Sequence, residues 1–216
     1  LTRILLPKKV KAIVVACNTA SAHALHAVEK LAAPLPVIGM IEPTARAALA
    51  ATKNNHIGVM ATAGTIRSKT YETTLHKLAP DIRVSSVACQ MLVALAEEGW
   101  IHGEIPRLTL GNYLSEMFCG LDKPDTLILG CTHFPVFTDL LHDILGDDVR
   151  LINSGEAASL ALNATLPIHN QGPRDEPQFY ATDDPVRFAA GATKFFHHPL
   201  NHENISLIDI ATENYL

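Results

Sequence analysis

Cys17 and Cys131 stand at equivalent places in two matching segments. Lys11-Ala-Ile-Val-Val-Ala-Cys17-Asn-Thr19 aligns with Asp125-Thr-Leu-Ile-Leu-Gly-Cys131-Thr-His133. Each has an apolar run, a small residue, a cysteine, two polar residues and then a helix-like stretch. A thiol acts as a base or nucleophile only as the thiolate, and a helix N-terminus lowers its pKa from a free value of roughly 8.5. Both cysteines precede predicted helices, so each has a source of activation. Either one alone reads better as a small buried hydrophobe closing a strand. The polar neighbours reverse that reading, because Asn18-Thr19 and Thr132-His133 put an amide, hydroxyls and an imidazole where a core cysteine would have apolar company. Two thiols placed alike suggest chemistry performed from opposite sides of one substrate.

Other residues are weaker candidates. His133 could relay protons to Cys131 or be a satisfied structural histidine. Thr62-Ala-Gly-Thr65 follows a strand and opens a helix, so its backbone N–H groups and hydroxyls suit a carboxylate or phosphate. Simple helix capping explains the same residues equally well. Asn153-Ser154-Gly155-Glu156 is a similar but weaker case. Glu97 and Glu98, at a helix end, are more often solvated charges than catalytic groups. Cys89 and Cys119 lack polar neighbours and read as structural. His197, His198 and His202 have no acidic or cysteine partner pattern, so no metal site is expected.

The elements that must position these residues alternate. Strands are predicted over 12–16, 37–41, 56–61, 83–88, 126–130, 149–153 and 178–181. Most are continuous apolar runs, as in strands buried on both faces of a parallel sheet. Helices are predicted over 20–33, 44–53, 65–78, 91–98, 105–121, 136–145, 155–166 and 186–196. Asp183-Asp184-Pro185 supplies an N-cap region for the last of them. A surface loop is expected after Gln171, and a short terminal strand within 205–210. This order implies an α/β fold with helices on both faces of a parallel sheet. Ligands then bind outside the carboxyl ends of the strands, the edge that carries Cys17, Cys131, Glu42, Thr62 and Ser154.

Composition removes several function classes. The net charge is -5 and the only basic cluster is Lys8-Lys9-Lys11, which argues against a nucleic-acid surface. No apolar run approaches the ~20 residues that span a bilayer. No signal peptide is visible, so the expected compartment is the cytoplasm. The four cysteines contain no C-x-x-C pair, so a zinc knuckle or thioredoxin-like motif is unsupported, and in a reducing compartment they are expected as thiols. The chain starts at Leu1 directly in helix-like sequence, so a truncated start is expected.

Ala16-Cys17-Asn18-Thr19-Ala20-Ser21-Ala22 and Leu129-Gly130-Cys131-Thr132-His133-Phe134-Pro135 together resemble glutamate racemase, of the cofactor-independent aspartate/glutamate racemase superfamily. The likeness extends to Val37-Ile38-Gly39, Ile41-Glu42-Pro43, the Thr62/Thr65 pair, 95–99, 151–156 and 179–185. It implies two pseudo-symmetric parallel-sheet α/β domains, residues 1–40 with 152–216 and residues 41–151, with the substrate in the cleft between them. It implies Cys17 and Cys131 as acid/base residues facing the D- and L-enantiomers respectively. Asn18, Thr19, Thr62, Thr65, Thr132 and His133 would contact or support the substrate, and Glu97 would stand near the second cysteine. The implied activity converts L-glutamate to D-glutamate for peptidoglycan, hence for cell-wall biogenesis and cell shape. It needs no cofactor, and nothing in the chain suggests pyridoxal phosphate. The partner is a small amino acid; neither nucleic acid nor membrane is expected, and a homodimer is left open. The family's Asp-Ser-Gly strand end and Pro-Tyr-Gly loop are not found, so roughly the first quarter of a member is expected to be missing. Asn153 stands where an acidic residue is usual. Three alternatives stay open: an aspartate or other amino-acid racemase, a thiol hydrolase using Cys131 with His133, and a non-catalytic remnant.

Overall fold

The structure is a computed structural model and describes residues 1–166, 176–196 and 199–209. It divides into two compact units, Lys9–Pro167 and Leu1–Lys8 with Ile168–Leu216. In chain order, α1 (Thr2–Leu5) and a 3-10 turn open the chain and belong to the smaller unit. The larger unit then runs β1 (Ile13–Val15), α2 (Asn18–Ala32), β2 (Val37–Gly39), α3 (Ile41–Ala51) and β3 (His56–Ala61). It continues with α4 (Ala63–Ser68), α5 (Thr70–Leu78), β4 (Arg83–Ala88), α6 (Gln90–Glu98) and α7 (Glu104–Leu114). It ends with β5 (Thr126–Gly130), a 3-10 turn at Phe134–Phe137, α8 (Thr138–Leu145), β6 (Arg150–Asn153) and α9 (Ser154–Thr165). The smaller unit adds β7 (Phe179–Ala181), α10 (Pro185–Phe196) and β8 (Ile205–Leu207).

All strand pairs are parallel, as the alternating pattern requires. β1 pairs with β2, and a second sheet has the order β4-β3-β5-β6. Every residue of β3 and β5 is buried, which explains why these strands read as unbroken apolar runs. Alternation splits their side chains between two faces. Ile57, Val59, Ala61, Ile128 and Ile152 pack in one core with Ile41, Ala45 and Ala48 of α3 and Tyr71 and Leu75 of α5. Leu92, Leu110, Leu114 and Leu141 of α6, α7 and α8 are also buried, apart from that core. In the smaller unit β7 pairs with β8, Ala181, Ala189 and Ile205 form a small core, and Lys8 Nζ sits 4.2 Å from the Tyr180 ring centroid.

The predicted helix over 65–78 is broken. Lys69 adopts a left-handed φ of 54°, and Ser68 Oγ donates to the Thr65 carbonyl while accepting the Thr70 N–H. A hydroxyl that bonds nearby backbone competes with the helix ladder. The helix predicted over 105–121 ends at Leu114, where Ser115 Oγ turns back onto the Asn112 carbonyl. The helix over 136–145 begins as a 3-10 turn containing Pro135. Asp184 Oδ1 accepts the Arg187 N–H at the start of α10, so the expected cap is present. Loop residues 171–175, His197 and His198, and the tail from residue 210 lie outside the described residues. Among the described residues no helix is long and apolar enough to cross a membrane.

Asp125 fastens the start of β5. Its carboxylate accepts the Thr52 hydroxyl and the Lys53 and Asn54 N–H groups at 2.7, 2.7 and 2.9 Å. Partial burial pushes its pKa up, but these donors, with the Thr126 hydroxyl, outweigh it and hold the carboxyl below its ordinary value. A depressed folded-state pKa stabilises the fold above the unfolded value and ceases to do so as pH falls through the folded one. Asp125→Asn is expected to cost roughly 1–2 kcal/mol in urea unfolding at neutral pH. That difference from the parent should shrink as pH falls below about 4.

Candidate active site

Cys17 follows β1 and caps α2: its Sγ accepts the Ala20 N–H at 3.5 Å, and the side chain is exposed. Asn18, the first residue of α2, is buried. Its Oδ1 accepts the Tyr71 hydroxyl at 2.6 Å, and its Nδ2 donates to Ser154 Oγ at 3.1 Å. One turn edge away, Thr19 Oγ1 lies 2.8 Å from Thr62 Oγ1 and 2.9 Å from Thr65 Oγ1, which are 3.1 Å from each other. The three hydroxyls close a ring. Thr62 also caps α4 by accepting the Thr65 N–H, so capping and site-building coincide in one residue. Gly64 permits this approach, since a Cβ there would lie 3.2 Å from Thr19 Cγ2.

Cys131 follows β5 and is buried. Burial pushes its thiol pKa up. The His133 N–H opposes this, the charge of Cys17 adds to it, and the Thr132 hydroxyl and N–H lower it again; the net direction is upward. His133 bridges outward from Cys131: its Nδ1 is 3.6 Å from Sγ, and its Nε2 is 3.5 Å from Glu97 Oε1 at the end of α6. An imidazole held between a carboxylate and a thiol can pass a proton along that line.

Every residue singled out from the sequence for the site is therefore found at the carboxyl ends of strands or on the helix starts that follow, apart from Glu97, which reaches in from the end of α6. Thr19 meets Thr62 and Thr65 across 43 and 46 positions, and Cys131 meets His133 and through it Glu97. Other residues do different work. Glu42 is exposed and pairs with Arg46, and Asn153 caps α9 by accepting the Gly155 N–H. Cys89 is fully buried, with its thiol pushed up to about 12 by burial and by the charge of Cys131, and it fits the expected structural role. Cys119 is exposed and donates to the Glu116 carbonyl. Among the described residues no group of three or more His, Cys, Asp or Glu is placed to hold a metal ion.

Sequence reasoning missed Tyr71, Gln90 and His23. Gln90 Oε1 accepts the Ala63 N–H at 3.3 Å, and His23 Nε2 lies 3.2 Å from the Gly64 carbonyl, so both brace the Thr62–Thr65 turn. The one available signal was Tyr71 itself. A tyrosine in an apolar helix stripe needs a partner for its hydroxyl.

Two thiols at the carboxyl ends of strands, on an α/β scaffold with an imidazole and hydroxyls around them, define a candidate acid/base enzyme. The chain belongs to the Asp/Glu/hydantoin racemase family, whose profile matches residues 2–162, and it is thus an isomerase by family. It is 40% identical over 204 residues to a glutamate racemase of Syntrophus aciditrophicus, covering 93% of this chain and 74% of that relative. The crystal structure of a glutamate racemase isoform from Bacillus anthracis superposes with a TM-score of 0.87 at 34% identity, over 98% of this chain and 78% of the other. The Francisella tularensis glutamate racemase, crystallised in complex with D-glutamate, gives 0.86 at 34% identity with the same coverage.

The unequal burial of the cysteines predicts unequal alkylation. With iodoacetamide at neutral pH, peptide mass spectrometry should find Cys17 and Cys119 modified first and Cys131 later, with Cys89 protected until the chain unfolds. Labelling of Cys131 should accelerate as pH rises, because its thiolate is the reactive form and its pKa is raised.

Proposed function

We propose that this chain racemises glutamate without a cofactor, with Cys17 and Cys131 as its two acid/base groups. The observation that carries this reading is the matching placement of Cys17 and Cys131, each directly after a parallel strand with polar side chains beside it, in a chain whose relatives include glutamate racemases. One thiolate takes the α-proton: the Cα–H bond breaks, an S–H bond forms, and the electron pair spreads into the adjoining carboxylate. The opposite thiol then gives its proton to the other face of Cα. The product has inverted configuration, and the two sulfurs have exchanged protonation states. Cys17 would act on the D-enantiomer and Cys131 on the L-enantiomer.

The α-proton is a poor acid, so the carbanion needs donors already in place around the carboxylate. Thr19, Thr62, Thr65, Asn18 and Thr132 supply hydroxyls and an amide for this, while His133 and Glu97 would manage the proton of Cys131. In this reading residues 1–40 with 152–216 and residues 41–151 are the two lobes of the enzyme. The reading carries with it a cytoplasmic enzyme that supplies D-glutamate to peptidoglycan.

The test is incubation of each glutamate enantiomer in heavy water. Either enantiomer should racemise, with solvent deuterium entering at Cα. Cys17→Ala and Cys131→Ala should each lower the rate by roughly 10³-fold or more. Full activity in either variant would remove the two-base assignment. Ester turnover dependent on Cys131, without deuterium exchange, would favour a thiol hydrolase instead.

A further inference from the structure

We infer that Tyr71 is a positioning residue for the racemisation site, acting through the side-chain amide of Asn18; this rests on the function proposed above. Tyr71 is buried on α5, its ring packed in the core against β3 and β5. Its hydroxyl donates to Asn18 Oδ1 at 2.6 Å, next to Cys17. Its ring lies against the strand end that carries the other thiol, since a Cβ on Gly130 would come 3.2 Å from Tyr71 Cε2. One side chain thus touches the residue after the first cysteine and the residue before the second.

The hydrogen bond has a directional consequence. Burial pushes the Tyr71 phenol well above its ordinary pKa, so it stays a donor across the neutral range. A donating hydroxyl demands the carbonyl oxygen of the Asn18 amide, which sends Nδ2 to the opposite side. Ser154 Oγ accepts one Nδ2 proton at 3.1 Å. The second has no partner among the described residues, and the amide plane is fixed from both ends. Without the hydroxyl, Asn18 could turn end for end, presenting an oxygen where the site needs a donor. A preorganised donor matters most where charge develops, so its misorientation should appear in the chemical step more than in binding.

Tyr71→Phe keeps the ring and deletes only the hydroxyl. Circular dichroism and thermal melting first establish that the variant folds. With D- and L-glutamate as substrates, kcat should fall about tenfold in both directions, with KM changed by less than about threefold. The fall in kcat/KM must match for the two enantiomers, because their equilibrium constant is one. Asn18→Ala combined with Tyr71→Phe should be no slower than Asn18→Ala alone if Tyr71 acts through that amide. A kcat within about twofold of the parent would overturn the inference, as would losses that multiply in the double variant. If Tyr71→Phe does not fold, Asn18→Asp keeps an oxygen for the Tyr71 hydroxyl and removes the amide donor that Tyr71 is inferred to aim. The same selective fall in kcat is expected there, and an unchanged kcat overturns the inference. A parent chain that exchanges no deuterium into glutamate would instead remove the proposed function and this inference with it. That outcome is distinct from an active parent indifferent to Tyr71→Phe.

Discussion

A parallel ribbon of two strands, three residues each, does not hold itself together in water. The placement of Cys17 therefore depends on what β1 and α2 are fastened to. Asn18 provides that fastening, bonding to Tyr71 and Ser154, which are 53 and 136 positions away. Thr19 repeats the device one residue later through Thr62 and Thr65. These bonds are buried or half-buried, so leaving their ends unpaired would be costly, and the cost keeps the two sheets' cysteine-bearing edges in register. The larger sheet needs no such help, because β3 and β5 are covered on both faces.

The two thiols inherit different surroundings from this arrangement. Cys17 sits exposed at a helix start with one backbone donor on its sulfur, whereas Cys131 is buried with two N–H groups, a hydroxyl and an imidazole about it. Symmetry of sequence has become asymmetry of environment. Under the proposed two-base reading the equilibrium constant is one, so such asymmetry cannot favour a product. It can set which protonation state the free enzyme rests in and how kcat and KM are divided between the two directions.

Much of the fold was legible because the relevant signals are local. Strands 56–61, 83–88 and 126–130 were readable to the residue, since the first and last are largely apolar runs and all three lie between turn-forming residues and predicted helices. The breaks at Lys69 and after Leu114 were not, because they arise from single hydroxyls of Ser68 and Ser115 competing for backbone carbonyls. The site was legible wherever a motif carried it, around both cysteines and at Thr62 and Thr65. Tyr71 and Gln90 escaped notice because their contribution is a contact between distant segments. Nothing in a tyrosine's neighbours along the chain says which amide its hydroxyl will meet.

The ring formed by Thr19, Thr62 and Thr65 has one further property. Three hydroxyls at 2.8, 2.9 and 3.1 Å hold three protons among three edges, and each edge can run in either sense. The ring can thus circulate clockwise or anticlockwise with every oxygen satisfied, a small proton-ordering degeneracy like that of ice. An anion accepting a proton from one corner ends the circulation and leaves the other two hydroxyls donating within the ring. The turn can stay closed on itself without a guest, yet reorient to donate by rotating three O–H bonds, with no movement of the backbone and no charged side chain.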